Sequence, residues 1–355
     1  MKKVTINGKF LTRPLSGVQR TAYEVVLAID QLLDNGQIDP KEYEFTVLFT
    51  DEIVNPIHLK HVRLVKKGIL SGNLWEQFEL PVYSAGTTLL SMCSISTLFK
   101  RNQIVIIHDA SFLVNKHFFS RSFRLWYAFA IPLLGKVSAR IVTVSLFSKN
   151  ELVRYARIKS SKISVISNSP EHILRAPSVD DAFVEKINAL KPYCLAVSNL
   201  AANKNFRRLS DAISKIDFKN YRMLIAGGAM NTLQHVAPDN TAEYLGYVTD
   251  AELKHLYANA SVFLFPSIYE GFGIPPLEAM ILGCPVAASN TSSMPEVLGS
   301  ACAYFNPLDV SDMAGQINQL INNPQEQERL RALGYDQAKK YSWHKSALQL
   351  VNLIK

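Results

Sequence analysis

Glu270 and Glu278 stand in VFLFPSIYEGFGIPPLEAMILG, residues Val262 to Gly283, on either side of a loop punctuated by Gly271 and Gly273. Ionised carboxylates only accept hydrogen bonds, and sugar hydroxyls are abundant donors, so a carboxylate pair suits a hydroxyl-rich ligand. The same stretch implies a phosphate site. Its glycines let a backbone come close to a ligand, and the helix that follows presents unpaired N–H groups to an anion. Carboxylates beside a phosphate site point to a nucleotide sugar. Each glutamate taken singly has a plainer account: Glu278, in the first turn of that helix, complements its dipole, and Glu270 is a solvated loop charge. Taken whole, the stretch favours the ligand.

Two further groups could act with them. Lys204, with Arg207 or Arg208 one turn later, could neutralise a leaving diphosphate, or it simply opens a solvated helix. His108 directly follows the β-rich run Ile104–Ile107, and neutral imidazole both donates and accepts near neutral pH. There is no D-x-D in the chain, so fixed cations and helix N-termini are expected to replace a metal at the diphosphate.

The elements that must position these groups follow a βα rhythm. Short β-rich runs at Val4–Ile6, Phe45–Phe49, Val62–Val65, Thr88–Leu90, Ile104–Ile107, Arg140–Ser145 and Ile163–Ile166 alternate with polar or helical stretches, the pattern of a parallel sheet with crossovers. Gly17 lies at the first strand-to-helix turn, before a helix through about Leu33 whose apolar face is Val25, Val26, Ile29, Leu32 and Leu33. From Asn168 to Asp181 the chain turns rich in Ser, Pro and charge, which reads as a linker. The rhythm then restarts at Tyr193–Val197, Arg222–Ala226, Val262–Phe265 and Pro285–Ala288. Pro266 ends the third of these, Pro276 is pre-set for the first helical position, and Gly283 is the stop. Thr249-x-x-Glu252 and Ser293-x-x-Glu296 both read as capping boxes. The tail from Asp309 is helical by pattern.

Glu270 and Glu278 form an E-x7-E pattern inside PSIYEGFGIPPLEAM that resembles the donor-site signature of glycosyltransferase family 4, retaining enzymes of the GT-B fold. HDASF at His108–Phe112, TVSLFSK at Thr143–Lys149, Lys204-Asn205, LIAGG at Leu224–Gly228 and YLGYVTDAEL at Tyr244–Leu253 extend the resemblance over nearly the whole chain. It implies an α/β architecture of two Rossmann-like domains facing across a cleft. Residues 1–170 would form an acceptor domain, 171–190 a linker and 191–339 a nucleotide-sugar donor domain, with the final helix, 340–355, crossing back to the first. It also implies roles. Gly17 and Arg20 would approach the donor phosphates, His108 the transferred sugar, Glu270 the sugar hydroxyls and Glu278 the ribose. Gly227 would lie near the base or ribose and Tyr247 in the base pocket. Asn199, Arg208, Gly271, Phe272, Gly273 and Ile274 complete the donor-binding set. The chain departs from the family at Asn199, where Arg is common, and at Asn203, where Arg or Lys is.

The implied activity is transfer of mannose, rhamnose, fucose or glucose from a nucleotide sugar to a lipid-linked or oligosaccharide acceptor in O-antigen, capsule or exopolysaccharide assembly, with no cofactor. A sugar-nucleotide epimerase, a phosphorylase of the same fold and a catalytically silent nucleotide-sugar-binding subunit are the alternatives. A dinucleotide oxidoreductase is disfavoured because no G-x-G-x-x-G follows a strand.

Composition sets the outer bounds. The 355 residues, 48% apolar and 19% charged, are enough for two globular domains, and a formal charge of +8 asks for an anionic partner. Between Lys116 and Lys162 ten basic residues face one acid, Glu151, and interleave with Phe118, Phe119, Phe123, Trp126, Tyr127 and Phe129. Such a mixture suits an anionic membrane surface, or a core helix with a basic outer face, better than nucleic acid. Cys93, Cys194, Cys284 and Cys302 lack metal-site spacing and read as buried or incidental thiols of a reducing compartment. The start of the sequence has no signal-peptide core, so the expected location is the cytoplasm, peripheral at the inner face of the membrane.

Overall fold

The structure, a computed structural model, describes residues 1–115, 120–197, 202–216, 221–227 and 242–354. It divides into two compact units, Met1–Asn168 with Ser342–Lys355, and Ser169–Tyr341.

The first unit is built on a parallel sheet. Its strands are β1 (Lys2–Asn7), β2 (Tyr43–Phe49), β3 (Arg63–Lys66), β4 (Thr88–Ser91), β5 (Gln103–Ile106), β6 (Arg140–Thr143) and β7 (Ile163–Val165), and they lie in the order β3-β2-β1-β4-β5-β6-β7. Every residue of β4 and β5 is buried, as parallel strands covered on both faces must be. The order reverses between β1 and β4. That is the switch point outside whose carboxyl ends open α/β sheets bind ligands. The predicted helix after Gly17 runs Gly17–Asp34 and buries its five apolar positions against the core that also takes Trp343, Ala347, Leu350 and Val351 of the Trp343–Val351 helix. The end of the chain therefore belongs to the first unit, as expected.

The second unit repeats the plan. Strands β8 (Tyr193–Val197), β9 (Arg222–Ala226), β10 (Ala242–Gly246), β11 (Val262–Phe265), β12 (Val286–Ser289) and β13 (Ala303–Phe305) lie in the order β10-β9-β8-β11-β12-β13, all parallel. Here the switch point falls between β8 and β11. Lys204 follows the first of these strands and Glu270 the second.

Several local readings change. The stretch taken as a linker, 171–190, lies within the second unit and carries a 3-10 helix, Glu171–Arg175, and an α-helix, Asp181–Asn188. Strand β10, AEYLG, is only partly buried and lacks the apolar run of its neighbours, and β13 is just three residues long. The helix after the glycine loop begins at Ile274 rather than at Pro276, and Glu278 stands in its second turn, too far along to complement the dipole. Thr249 and Glu252 form the expected capping box, but Ser293 makes no side-chain cap to the short Met294–Leu298 helix. Its hydroxyl is used elsewhere.

Candidate functional site

At the second unit's switch point Lys204 Nζ lies 2.7 Å from Glu270 Oε1 and 5.4 Å from the centre of the Phe265 ring. Both charged side chains are mostly buried yet reach solvent. Each is held by its backbone. Asn205 takes a left-handed conformation, φ 59°, which a short polar side chain tolerates, and its amide donates to the carbonyls of Pro266 and Pro307 at 3.2 and 2.7 Å. This ties Lys204 to the end of β11. Arg208 Nη1 donates to Asn205 Oδ1 at 3.1 Å, so it braces the turn. Asn203 accepts from Ile268 N through its carbonyl and donates to Tyr269 O.

The Glu270 loop is clamped from the other side by residues 291–293. Thr291 Oγ1 donates to Ile268 O, and Glu270 N donates to Ser292 Oγ at 3.2 Å. Ser293 Oγ reaches the carbonyls of Glu270 and Phe272 at 3.0 and 3.1 Å. With both backbone groups of Glu270 engaged, its side chain is the part left to work. Phe272 packs edge-on to Tyr341. Gly273 sits at φ 95°, a backbone conformation that side chains rarely adopt, so the geometry of the turn favours glycine there. Ile274 is buried behind it.

Glu278 is not a solvated charge. It is 6% exposed, with His172 Nε2 donating to Oε1 at 2.8 Å and Tyr257 OH to Oε2 at 3.2 Å. Burial, and then the negative charge of Glu278, push the Tyr257 phenol well above its ordinary pKa, so it stays a donor. Neither partner was expected from the sequence.

The other residues named from the sequence are distributed as follows. Gly227, φ 89°, donates its N–H to Gly246 O at 2.6 Å and closes the end of the β9–β10 pair. Tyr247 is 87% exposed. Asn199 and Gly228 lie outside the described residues. Gly17, Arg20 and His108 belong to the first unit. A Cβ added at Gly17 would meet nothing within 4 Å, which leaves the space that a ligand contacting its backbone needs. Arg20 Nη1 stands 3.9 Å from the buried Glu24. His108 Nε2 donates to Met92 O at 2.9 Å, fixing the tautomer in which Nδ1 is the acceptor of the neutral ring. Asp109 accepts from Ser111 N and Oγ and so shapes the loop after β5.

Burial lowers the His108 pKa below the ordinary imidazole value of 6.5. A lowered folded value means stability that is present above 6.5 and lost as the pH falls through that folded value. Thermal unfolding followed from neutral pH downward should show the wild type losing more stability than His108→Gln over that window.

The first unit also holds a cavity of about 780 Å³ at its switch point. Lys9, Arg13, Ser16 and Asn73 line one part, and Ile95, Trp126 and Tyr127 another. Lys9 Nζ is fixed at 2.9 Å from Glu76, which is fully buried and also accepts from Asn7 Nδ2 at 2.7 Å. Trp126 Nε1 is buried without a hydrogen-bond partner among the described residues.

The basic stretch is only partly a surface charge. Lys162 Nζ is spent on the carbonyls of Gly135, Lys136 and Ser138, and Arg140 on Ser161 O. In the Arg121–Val137 helix Ile131 and Leu134 are core, whereas Phe123, Leu125 and Phe129 are exposed. Lys116, Phe118 and Phe119 lie outside the described residues. Among the described residues no helix is long and apolar enough to cross a membrane. The thiols of Cys194, Cys284 and Cys302 are buried, and burial pushes that of Cys194 up to about 12.

Residues 179–337 match the family model described as Glycosyl transferases group 1. The chain is 34% identical over 228 residues to the O-antigen chain mannosyltransferase B of Escherichia coli, a match covering 61% of this chain and 60% of that relative. Two solved structures resemble it along its length. They are a sucrose-phosphate synthase from Thermosynechococcus elongatus (TM-score 0.76, 15% identity, 99% and 98% of the two chains) and Anabaena HepE in complex with UDP and glucose (TM-score 0.71, 16% identity, 99% and 98%).

Proposed function

We propose that this chain, with a Glycosyl transferases group 1 domain at residues 179–337 and the GT-B fold, is a retaining, metal-independent glycosyltransferase. It moves a hexosyl or deoxyhexosyl group from a nucleotide sugar to a saccharide acceptor in the assembly of O-antigen or a related polysaccharide. The likeness to an O-antigen mannosyltransferase makes mannose the first sugar to test. The observation that carries the reading is the contact of Lys204 with Glu270 at the second unit's switch point.

Departure of a nucleoside diphosphate leaves negative charge on its oxygens and positive charge at the sugar carbon. Lys204 offers a fixed cation to the first, and the Glu270 carboxylate accepts from the sugar hydroxyls and opposes the second. In the free protein the two neutralise each other, so neither is buried as a lone charge. A donor replaces each partner with its own complement: phosphate for Lys204 and hydroxyls for Glu270. Glu278 takes the ribose hydroxyls, Gly17 and Arg20 the phosphates, and neutral His108 the transferred sugar. The carboxylates bind rather than attack, because the donor's phosphate can accept the acceptor's proton on the same face. The spacing rule for hydrolases therefore does not apply.

The acceptor is assigned to the 780 Å³ cavity of the first unit. It offers hydroxyls and amides from Ser16 and Asn73 and a guanidinium from Arg13. The rings of Trp126 and Tyr127 complete a lining that suits a saccharide. Exposed Phe123, Leu125 and Phe129 beside Arg121 suit an acidic membrane carrying a lipid-linked acceptor.

A thermal-shift series with GDP, UDP, dTDP, ADP and CMP and their common sugars tests the reading. One nucleotide class should raise the melting temperature equally with magnesium and with chelator. Silence from all of them overturns the donor site, and a magnesium requirement overturns metal independence. In the same preparation, sedimentation with acidic but not neutral vesicles is the expected membrane result.

A further inference from the structure

The carboxylate assigned to the ribose is gripped by three separate pieces of chain. Glu278 comes from the Ile274–Ile281 helix and Tyr257 from the Asp250–Asn259 helix, while His172 comes from the short 3-10 turn Glu171–Arg175. That turn is not loosely placed. Lys254, on the same helix as Tyr257, donates through Nζ to the carbonyls of Leu174 and Ala176 at 2.9 and 2.7 Å. Ser169 Oγ donates to Tyr341 O and accepts from Glu171 N, and Ile173 is 1% exposed. One helix thus supplies a donor to Oε2 and fastens the segment that supplies a donor to Oε1.

Stability alone does not account for such a cluster. A buried ionic group and its partners are often replaceable by apolar side chains of similar volume at little or no cost. Here the carboxylate is kept, with its side chain 8% exposed, and each oxygen receives one hydrogen bond. A carboxylate has about four acceptor positions, so two directions stay open for a ligand's hydroxyls. The side chain's torsions are already fixed before a ligand arrives, which lowers the ordering cost of binding.

We infer that His172 and Tyr257 are positioning residues that hold the Glu278 carboxylate in the orientation that accepts the hydroxyls of the donor's ribose. This rests on the assignment of Glu278 to the donor, and it adds two residues that do not touch the ligand themselves. Their loss acts through Glu278 alone.

The test is a double-mutant cycle in the full chain, read by the nucleotide that stabilises the wild type. Tyr257→Phe removes only a hydroxyl and keeps the ring that packs edge-on to Phe263. His172→Phe removes the ring N–H, and His172→Gln restores an amide donor of similar reach. Tyr257→Phe and His172→Phe should each weaken nucleotide binding about tenfold and raise the donor KM alike, with kcat at saturating donor and the acceptor KM little changed. His172→Gln should recover most of the loss. In a Glu278→Gln background Tyr257→Phe should add nothing. Unchanged nucleotide affinity in Tyr257→Phe and His172→Phe, with Glu278→Gln impaired, overturns the inference. So do effects that simply add to that of Glu278→Gln, since they mark a structural role. If the wild type answers to no nucleotide, the donor-site assignment itself falls, and this inference falls with it.

Discussion

Glu270→Ala is expected to lower transfer on the order of 10²–10³-fold at saturating donor while nucleotide binding stays the same or tightens. The loop will keep its shape, because Glu270 is held through its N–H and carbonyl by Ser292 and Ser293 and not through its side chain. What the substitution removes is the group facing the sugar. It also releases Lys204 from its 2.7 Å partner, leaving a full positive charge for the diphosphate. Lys204→Ala should behave oppositely, with weakened nucleotide binding, because an uncompensated Glu270 carboxylate then faces the phosphates. Measuring kcat and nucleotide affinity separately for the two variants checks the division of labour. Wild-type turnover in Glu270→Ala would refute it.

The second large effect is expected in the first unit. Glu76 is fully buried and, among the described residues, hydrogen-bonds only Lys9 and Asn7 through its side chain, so Lys9→Met leaves a buried carboxylate without its counter-charge. Breaking a buried pair in this way costs about 3–5 kcal/mol, a large share of a domain's stability. Denaturant unfolding should show it, and adding Glu76→Gln should recover much of the loss, because a neutral amide needs no cation. A Lys9→Met protein within about 0.5 kcal/mol of wild type would rule the account out. Lys9 also stands at one wall of the cavity assigned to the acceptor. The double variant should therefore fold and still bind acceptor poorly.

Much of the architecture was legible because parallel strands buried on both faces advertise themselves as apolar runs, as Val262–Phe265 and Ile104–Ile107 do. Strands β10 and β13 escaped for other reasons: AEYLG carries a charge and is only partly buried, and AYF is three residues long. The glycine loop, Lys204 and Glu270 could be found by order in the chain, since residues just beyond adjacent strand ends at a switch point converge. His172 could not. Ser, Pro and charge around it signalled a linker, and it takes the three-dimensional contacts with Glu278, Lys254 and Tyr341 to show that the segment is part of the second unit. A weak signal was present in Ile173-Leu174 beside the histidine, apolar residues that a solvated tether has no use for. Ser293 misled for a different reason. Its hydroxyl obeys the same chemistry in a cap or in a loop clamp, and the local sequence does not say which carbonyl or N–H will be nearest.

The return of the Trp343–Val351 helix to the first unit reaches beyond packing. Trp343, Ala347, Leu350, Val351 and Ile354 complete a core otherwise made before residue 169, so on a ribosome the strands of the first unit wait for residues made after the whole of the second. The second unit, continuous from Ser169 to Tyr341, can finish while the first is still open. Synthesis then inverts the usual sequence in which the N-terminal domain matures first. A nascent chain stalled after Tyr341 would carry an apolar surface of Val25, Ile29 and Leu32 that waits for Trp343 to Ile354, or for a chaperone, to cover it.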